Sequence, residues 1–421
     1  MNRSFKIMAP IVAALAISAC SAGGSSNMPS TAGGSQAASV VNRIVPQWQR
    51  MHQARTECPA VVGKPTCLAL EVMHNGISPA CSPSSGCGFT PQELEAAYKL
   101  TGDIKNGSGV KVAVIEAGDL SSASTDLATY RSQFNLGTGN MTKYNENGQT
   151  SNYPPSCEDY SWCAETALDI DMISASCPKC TILLMEAQGG ISDFETAEAT
   201  AVTLGATVLS NSWICYGSWD CDDTNFPNYF NTKGVTYLAS SGDDGYNSIG
   251  GPSVLSTVIA AGGTQLEGSG KTFTESAWND AGAGCASSTV VGSPGVPKPS
   301  WQKDPGCTSR TDADVSSESG CSPGVAEYIS EYGGWISECG TSVASPFLAG
   351  VVAVKGNQAK IDAGAGFWQL NKKKLKRDLH AIESGSDGSC GGSYLCTAGT
   401  GQFKQYSGPT GWGTPKTDRA F

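Results

Sequence analysis

The chain has 421 residues, of which 51 are glycine and 15% are charged, which is length enough for one large core or two domains. Its formal charge of −11 argues against a nucleic-acid partner, which would need a basic surface. Seventeen cysteines point away from a reducing compartment.

Arg3 and Lys6 precede residues 9–19, APIVAALAISA, an apolar run too short to span a bilayer. Residues 1–20 therefore read as a secretory signal. Ile17-Ser18-Ala19-Cys20 resembles a bacterial lipobox, in which Cys20 would carry the lipid; ordinary cleavage nearby, discarding Cys20, is the alternative. Membrane contact is expected only through that lipid. Residues 21–88 read as a flexible Ser/Gly/Ala tether followed by a short cystine-containing extension.

Without Cys20 an even sixteen cysteines remain. Most fall into close pairs: Cys58 with Cys67, Cys81 with Cys87, Cys157 with Cys163, Cys177 with Cys180, Cys215 with Cys221, and Cys390 with Cys396. Cys285 with Cys307 and Cys321 with Cys339 are the remainder. Sequence does not prove that connectivity. Each such short loop would stabilise by about 2–3 kcal/mol in the chain-entropy model. A single C-x-x-C, as at Cys177 and Cys180, reads as structural in an exported, cystine-rich chain.

Ordered structure is expected from about Phe89, where Thr90-Pro91 opens a helical pattern through Leu100. Val110–Glu116 (VKVAVIE) reads as a buried strand, Asp126–Phe134 as a helix, Ala164–Ala175 as a helix and Thr181–Glu186 as a strand. Ile191–Leu204 follows as a helix; Thr207–Ser210, Val235–Ser240 and Val258–Ala261 follow as strands. Such alternation implies an α/β fold with a mostly parallel sheet covered on both faces. Residues 281–338 look loop-dominated, with a hairpin near Gly324–Ser337. The basic run Lys372–Lys374, Lys376, Arg377 reads as a solvated helix face.

Three segments carry chemistry. Gly340-Thr-Ser342-Val-Ala-Ser-Pro346 places a serine where a loop becomes a helix, and free backbone N–H groups at such a terminus favour developing negative charge. It nearly matches the serine motif of the subtilisin-like clan. A serine nucleophile needs a base. The three histidines, His52, His74 and His380, lie in no segment resembling the subtilisin histidine motif, so the order Asp, His, Ser cannot be assembled. Glu165 and Asp169, four apart on a helix, share one face, and two close carboxyls hold one proton tightly. Taken alone, such a pair is more often two solvated acids. Asp243, in Ser240-Ser-Gly242-Asp-Asp-Gly245, stands where subtilisins carry an oxyanion asparagine; a protonated aspartic acid can donate there instead, although the segment is also good turn chemistry.

ETALDID, SSGDDG and CGTSVASP, in that order, resemble the sedolisins, the serine-carboxyl peptidases, in a disulfide-rich bacterial branch. The resemblance covers residues 88–415, includes GFTPQELEAAYKL and KPSWQ, and gives a peptidase domain over 89–421. It implies a subtilisin-like fold with a seven-stranded sheet. In it Ser342 is the nucleophile, Glu165 the general base, Asp169 its partner and Asp243 the oxyanion acid. Ser212, Trp213 and Gly242 would contact substrate, and Glu116 would extend the acid network; Glu116 and Trp213 could equally be packing or hydrogen-bonding residues. The family usually carries a prosegment well over a hundred residues long, whereas only about 65 residues separate Cys20 from the expected peptidase domain. The family's calcium site is matched by Asp378 and Leu379, with Gly399 and Gly401 nearby, but Ser407 stands where a second aspartate is expected.

The function implied is a secreted or surface-anchored, monomeric endopeptidase. It would cleave proteins or peptides through an acyl-enzyme, best below about pH 5, since unperturbed carboxyls titrate near 4. A catalytically silent cell-surface binding module on the same fold is the alternative from another class. A subtilase using His380 is a third.

Overall fold

The computed structural model describes residues 54–73, 81–82, 86–400 and 405–421. The signal, Cys20, most of the tether, His52 and His74 lie outside the described residues. Three short strands come first, ahead of the expected start at Phe89: β1 (Ala54–Thr56), β2 (Pro65–Cys67) and β3 (Leu70–Val72). Helix α1 (Pro91–Ala97) begins in a capping box, in which Thr90 and Glu93 satisfy each other's backbone N–H groups. Then alternate β4 (Lys111–Ala117), α2 (Ala123–Gln133), β5 (Asn140–Asn145), α3 (Cys163–Ser176), β6 (Thr181–Ala187) and α4 (Ile191–Thr203). These are followed by β7 (Val208–Asn211), β8 (Trp213–Cys215), β9 (Thr236–Ser240), β10 (Val258–Ser269) and β11 (Thr272–Ala277). After β12 (Gly284–Cys285), β13 (Thr311–Asp312) and β14 (Val315–Glu318) comes the hairpin β15 (Val325–Ile329) and β16 (Gly334–Cys339). Helix α5 (Thr341–Lys355) follows, then α6 (Ala365–Trp368), α7 (Lys372–Asp378), β17 (Leu379–His380) and β18 (Thr414–Pro415).

The central sheet runs β11-β10-β9-β7-β4-β6-β5, with β14 also pairing with β10. Every pairing is parallel except β10 with β11. Side chains on each strand alternate between two covered faces. Val112, Val114, Ile182, Leu184 and Leu238 join one apolar core with α3 and α5, through Ile170, Ile173, Leu348 and Val352. Ala113, Ile115, Leu183, Met185 and Leu209 join the other with α4, through Phe194, Ala197 and Ala201. All fourteen residues of α3 are buried, so its acids lie inside the protein and not on a solvated face. Close approach of α3 and α5 requires Gly350: a Cβ there would lie 1.9 Å from Ser176 Oγ. Strand β10 runs eight residues beyond its expected end at Ala261, through Gly262 and Gly263.

Eight disulfides follow the pairing expected from spacing. Six close short loops: Cys58 to Cys67, Cys81 to Cys87, Cys157 to Cys163, Cys177 to Cys180, Cys215 to Cys221, and Cys390 to Cys396. Two span longer ones, Cys285 to Cys307 and Cys321 to Cys339. Cys177 and Cys180 are thus joined to each other, as a structural C-x-x-C would be. Burial accompanies the bridges: Cys87, Cys221, Cys307 and Cys396 are all packed inside the protein. A second sheet, β1-β3-β16-β15, is antiparallel throughout, and β2 pairs separately with β8.

Candidate active site

The carboxyl ends of parallel strands form the usual crevice of an α/β sheet. Here Glu116 ends β4, Ser212 follows β7, Ser241–Asp243 follow β9, and α3 and α5 bring their N-terminal halves to the same place. Gly340, at φ +108°, turns the chain from β16 into α5, so that Thr341 and Ser342 open the helix. A Cβ on Gly340 would sit 2.4 Å from both Asp243 Oδ2 and the Leu68 carbonyl oxygen, so only glycine fits.

Ser342 Oγ is buried and donates to Glu165 Oε2 at 2.8 Å. The same carboxyl oxygen accepts the backbone N–H groups of Leu68 (2.8 Å) and Ala69 (2.7 Å). Asp169 Oδ1 accepts from Ser212 Oγ at 2.7 Å, and Asp169 hydrogen bonds with both Glu165 and Glu116. Trp162 Nε1 donates to Glu116 Oε2 at 2.7 Å and so anchors the far end of the row. A hydrogen bond between two carboxyl groups needs a proton on one of them, so the row is a shared-proton network. Pro346 lacks an N–H, which frees the Ser342 carbonyl from its helical bond; Ser212 Oγ approaches that oxygen at 3.5 Å.

Asp243 Oδ1 accepts from Thr341 N at 2.8 Å and from Thr341 Oγ1 at 2.7 Å, which turns Oδ2 toward Gly340 and the Leu68 carbonyl. The two oxygens that approach the Gly340 Cβ position can thus be no further apart than twice that 2.4 Å approach.

Burial dominates the electrostatics. It raises Glu165 and Glu116 well above the ordinary carboxyl range, helped by the charge of neighbouring Asp169, while the donors to Glu165 from Ser342, Leu68 and Ala69 oppose the shift. Burial pushes Asp169 up to about 7, against the hydrogen bonds it makes with Ser212, Glu116 and Glu165. Asp243 is also raised well above its usual range by burial, against the two Thr341 hydrogen bonds. Burial thus raises all four acids, of which Glu165 touches the Ser342 hydroxyl.

The sequence-named groups Ser342, Glu165, Asp169, Asp243 and Ser212 thus meet in one place. His380 does not take part: it is exposed on β17, paired with Thr414 of β18. Trp213 lies in the core, as its packing alternative has it. Its indole is 1% exposed, packs edge-on against Phe194 at 5.1 Å and against Phe226 at 6.1 Å, and donates to Asn211 Oδ1. Only its backbone faces the crevice, pairing with Cys67. The Gly242 amide is engaged inside the loop, donating to Thr341 Oγ1 at 3.2 Å. Thr341, Trp162 and the Leu68 and Ala69 amides were not singled out by sequence, because their roles depend on backbone geometry.

Asp378, named for calcium, forms an ion pair. Both Asp378 carboxylate oxygens are taken by Arg377, the second at 2.6 Å from Nη2. Ser407, in place of a second acid, hydrogen bonds with Thr410. A hard cation wants six or more oxygens, several of them anionic. No group of three or more His, Cys, Asp or Glu residues that could hold a metal occurs among the described residues.

A mostly parallel sheet with helices on both faces, a serine opening a helix and a buried carboxyl that accepts its hydroxyl define a subtilisin-like fold with a serine-carboxyl site. No family model matches the chain. Sedolisin of Pseudomonas sp. (strain 101) is 25% identical over 383 residues, 82% of this chain and 62% of that protein. The chain thus spans less than two thirds of that relative's length. The structure of Pseudomonas sedolisin, a serine-carboxyl proteinase complexed with two molecules of pseudo-iodotyrostatin, aligns at 26% identity with a TM-score of 0.65. That alignment covers 79% of this chain and 96% of the other. A lanthipeptide protease aligns at 15% identity with a TM-score of 0.48, over 78% of this chain and 92% of the other. The chain is thus similar to sedolisin in both sequence and fold.

Proposed function

We propose that this protein is a serine-carboxyl endopeptidase that cleaves proteins or peptides through an acyl-enzyme at acidic pH. The observation that carries the reading is the 2.8 Å hydrogen bond from Ser342 Oγ to Glu165, with no imidazole among its partners in the described residues. Ser342 attacks the substrate carbonyl carbon while Glu165 takes its proton; Asp169, held by Ser212 and hydrogen-bonded to Glu116, adjusts the charge of Glu165. Protonated Asp243 donates to the developing oxyanion. Glu165 returns the proton to the leaving amine, and a water activated by the same carboxyl releases the acyl group.

Acidic pH is required in this scheme, because Asp243 must be neutral to donate and the carboxyl row must keep a shared proton. The raised acids extend that window upward from the range of exposed carboxyls. Eight disulfides and the acidic composition suit an extracytoplasmic site of action, released or held by a lipid on Cys20, as a monomer. Intact Ser342, Glu165, Asp169 and Asp243 weigh against a silent binding module.

A pH–rate profile on a mixed peptide library tests the proposal. Wild type should release peptides best in the acid range, and Ser342→Ala should release none. A maximum near pH 8 contradicts the scheme.

A further inference from the structure

We infer that residues 54–72 are a disulfide-clamped pseudosubstrate laid through the cleft, with the Leu68–Ala69 peptide bond in the scissile position. The inference rests on the proposed peptidase function and names how that site is regulated and what it takes.

The path of the segment carries the argument. β2 adds antiparallel to β8, pairing Thr66 with Ile214 and Cys67 with Trp213. The Leu68 N–H extends the ladder to the Ser212 carbonyl at 3.2 Å, an oxygen that Ser342 Oγ also approaches at 3.5 Å. Beyond Ala69, β3 adds antiparallel to β16, just ahead of Ser342. An extended chain that joins one strand before the nucleophile and another after it is bound as a peptide ligand binds by strand addition.

The atoms around the Leu68–Ala69 bond fall where the chemistry needs them. The Ala69 nitrogen, which would leave, donates to Glu165 Oε2, the same atom that accepts the Ser342 hydroxyl. The Leu68 carbonyl oxygen and Asp243 Oδ2 lie together against Gly340. Cleavage would join Ser342 Oγ to the Leu68 carbonyl carbon, move the hydroxyl proton through Glu165 to the Ala69 nitrogen, and break the C–N bond. Water would then restore Ser342 and leave Leu68 as a free carboxylic acid.

Two restraints make this bond a slow substrate. The Cys58–Cys67 disulfide ties the residue before Leu68 into a nine-residue span. β1 pairs with β3 from Ala54↔Val72 to Thr56↔Leu70, and Arg55 forms ion pairs with Glu57 and Glu71. Both new chain ends would stay apposed after cleavage, so the amine could re-form the bond. A ligand held in its bound shape also keeps the cleft against added peptide. The segment reports preference as well: Leu68 is 4% exposed and Ala69 fully buried, so the site takes an aliphatic residue before the cut and a small one after it.

Three measurements on the full chain test the inference. In Ser342→Ala, hydrogen exchange should find the Leu68, Ala69 and Ile214 amides strongly protected. Wild type kept at acid pH should be cut slowly, and only between Leu68 and Ala69, by intact mass and N-terminal sequencing. The double variant Cys58→Ser with Cys67→Ser should turn over added peptides at least tenfold faster than wild type, and Leu68→Asp, which keeps the disulfide, should do the same if the cysteine variant folds poorly. Fast exchange at Leu68 and Ala69, a cut elsewhere, or no gain in either variant while wild type is active overturns the pseudosubstrate and leaves the peptidase function standing. Protected amides with no peptide release from any variant overturns the function itself, and the inhibitory role with it.

Discussion

Asp243 is the acid whose role is most sharply defined by its surroundings. Its Oδ1 is committed to Thr341 N and Oγ1, and its Oδ2 faces the Leu68 carbonyl beside Gly340. Burial holds the proton on this group. Replacement by alanine removes a donor to the oxyanion, an effect of about 100- to 1,000-fold in kcat, or about 2.7–4 kcal/mol. It also leaves the buried Thr341 N–H without its acceptor, at a cost of about 1–3 kcal/mol in stability. Asparagine should separate the two effects. Its amide oxygen can accept from Thr341 and its NH2 can donate to the oxyanion at any pH. Asp243→Asn should therefore stay within about tenfold of wild type at its acid optimum, on the scale of one imperfect donor. Its activity should also extend to higher pH, because no carboxylate forms there. The assay is kcat/KM against pH for the three proteins on one leucine-containing peptide, with unfolding midpoints measured alongside. An alanine variant that loses less than tenfold, or an asparagine variant with the wild-type alkaline limb, would refute the role of Asp243.

Stability should fall as pH rises. Burial raises Asp312 to about 6, Asp169 to about 7 and Glu186 to about 9, so the native state holds protons that the unfolded chain loses near pH 4. Stability from these groups is complete below about pH 4 and declines through pH 7 and beyond. Urea midpoints of Ser342→Ala should be higher at pH 4 than at pH 7, and the reverse order would contradict the assignment. Gly350→Ala, with its Cβ 1.9 Å from Ser176 Oγ and 3.0 Å from Ser176 Cβ, should destabilise by about 1–3 kcal/mol in urea melts. Adding Ser176→Ala should recover part of that loss, and an unchanged midpoint in the single variant would show that the helices part freely.

Much of the sheet could be read in the chain because its signals are local. VKVAVIE and TILLME are apolar on both faces, as doubly covered strands must be, and ETALDID sets two acids one helical turn apart. The disulfides were legible for the same reason, since cysteines as close as Cys215 and Cys221 or Cys390 and Cys396 have little other choice of partner. Two features escaped. β10 looked short because Gly262 and Gly263 interrupt its apolar run, yet they are where the chain passes Pro409 and Trp278 too closely for a side chain. Residues 54–72 showed no periodicity because each strand is three residues long and two of them pair with partners far along the chain, β8 and β16. Trp213 was open to two readings, cleft lining or packing, and the sequence alone does not choose between them; its neighbour Ser212 turns its hydroxyl to Asp169.

The central claim is that carboxyl groups, and no imidazole, serve the Ser342 hydroxyl. Peptide hydrolysis at acid pH by a chain with His52, His74 and His380 all replaced by glutamine, set beside Glu165→Gln, tests it most directly. The histidine-free protein should keep wild-type activity within a few-fold, and Glu165→Gln should lose at least a hundredfold. An inactive histidine-free protein beside an active Glu165→Gln would contradict the account.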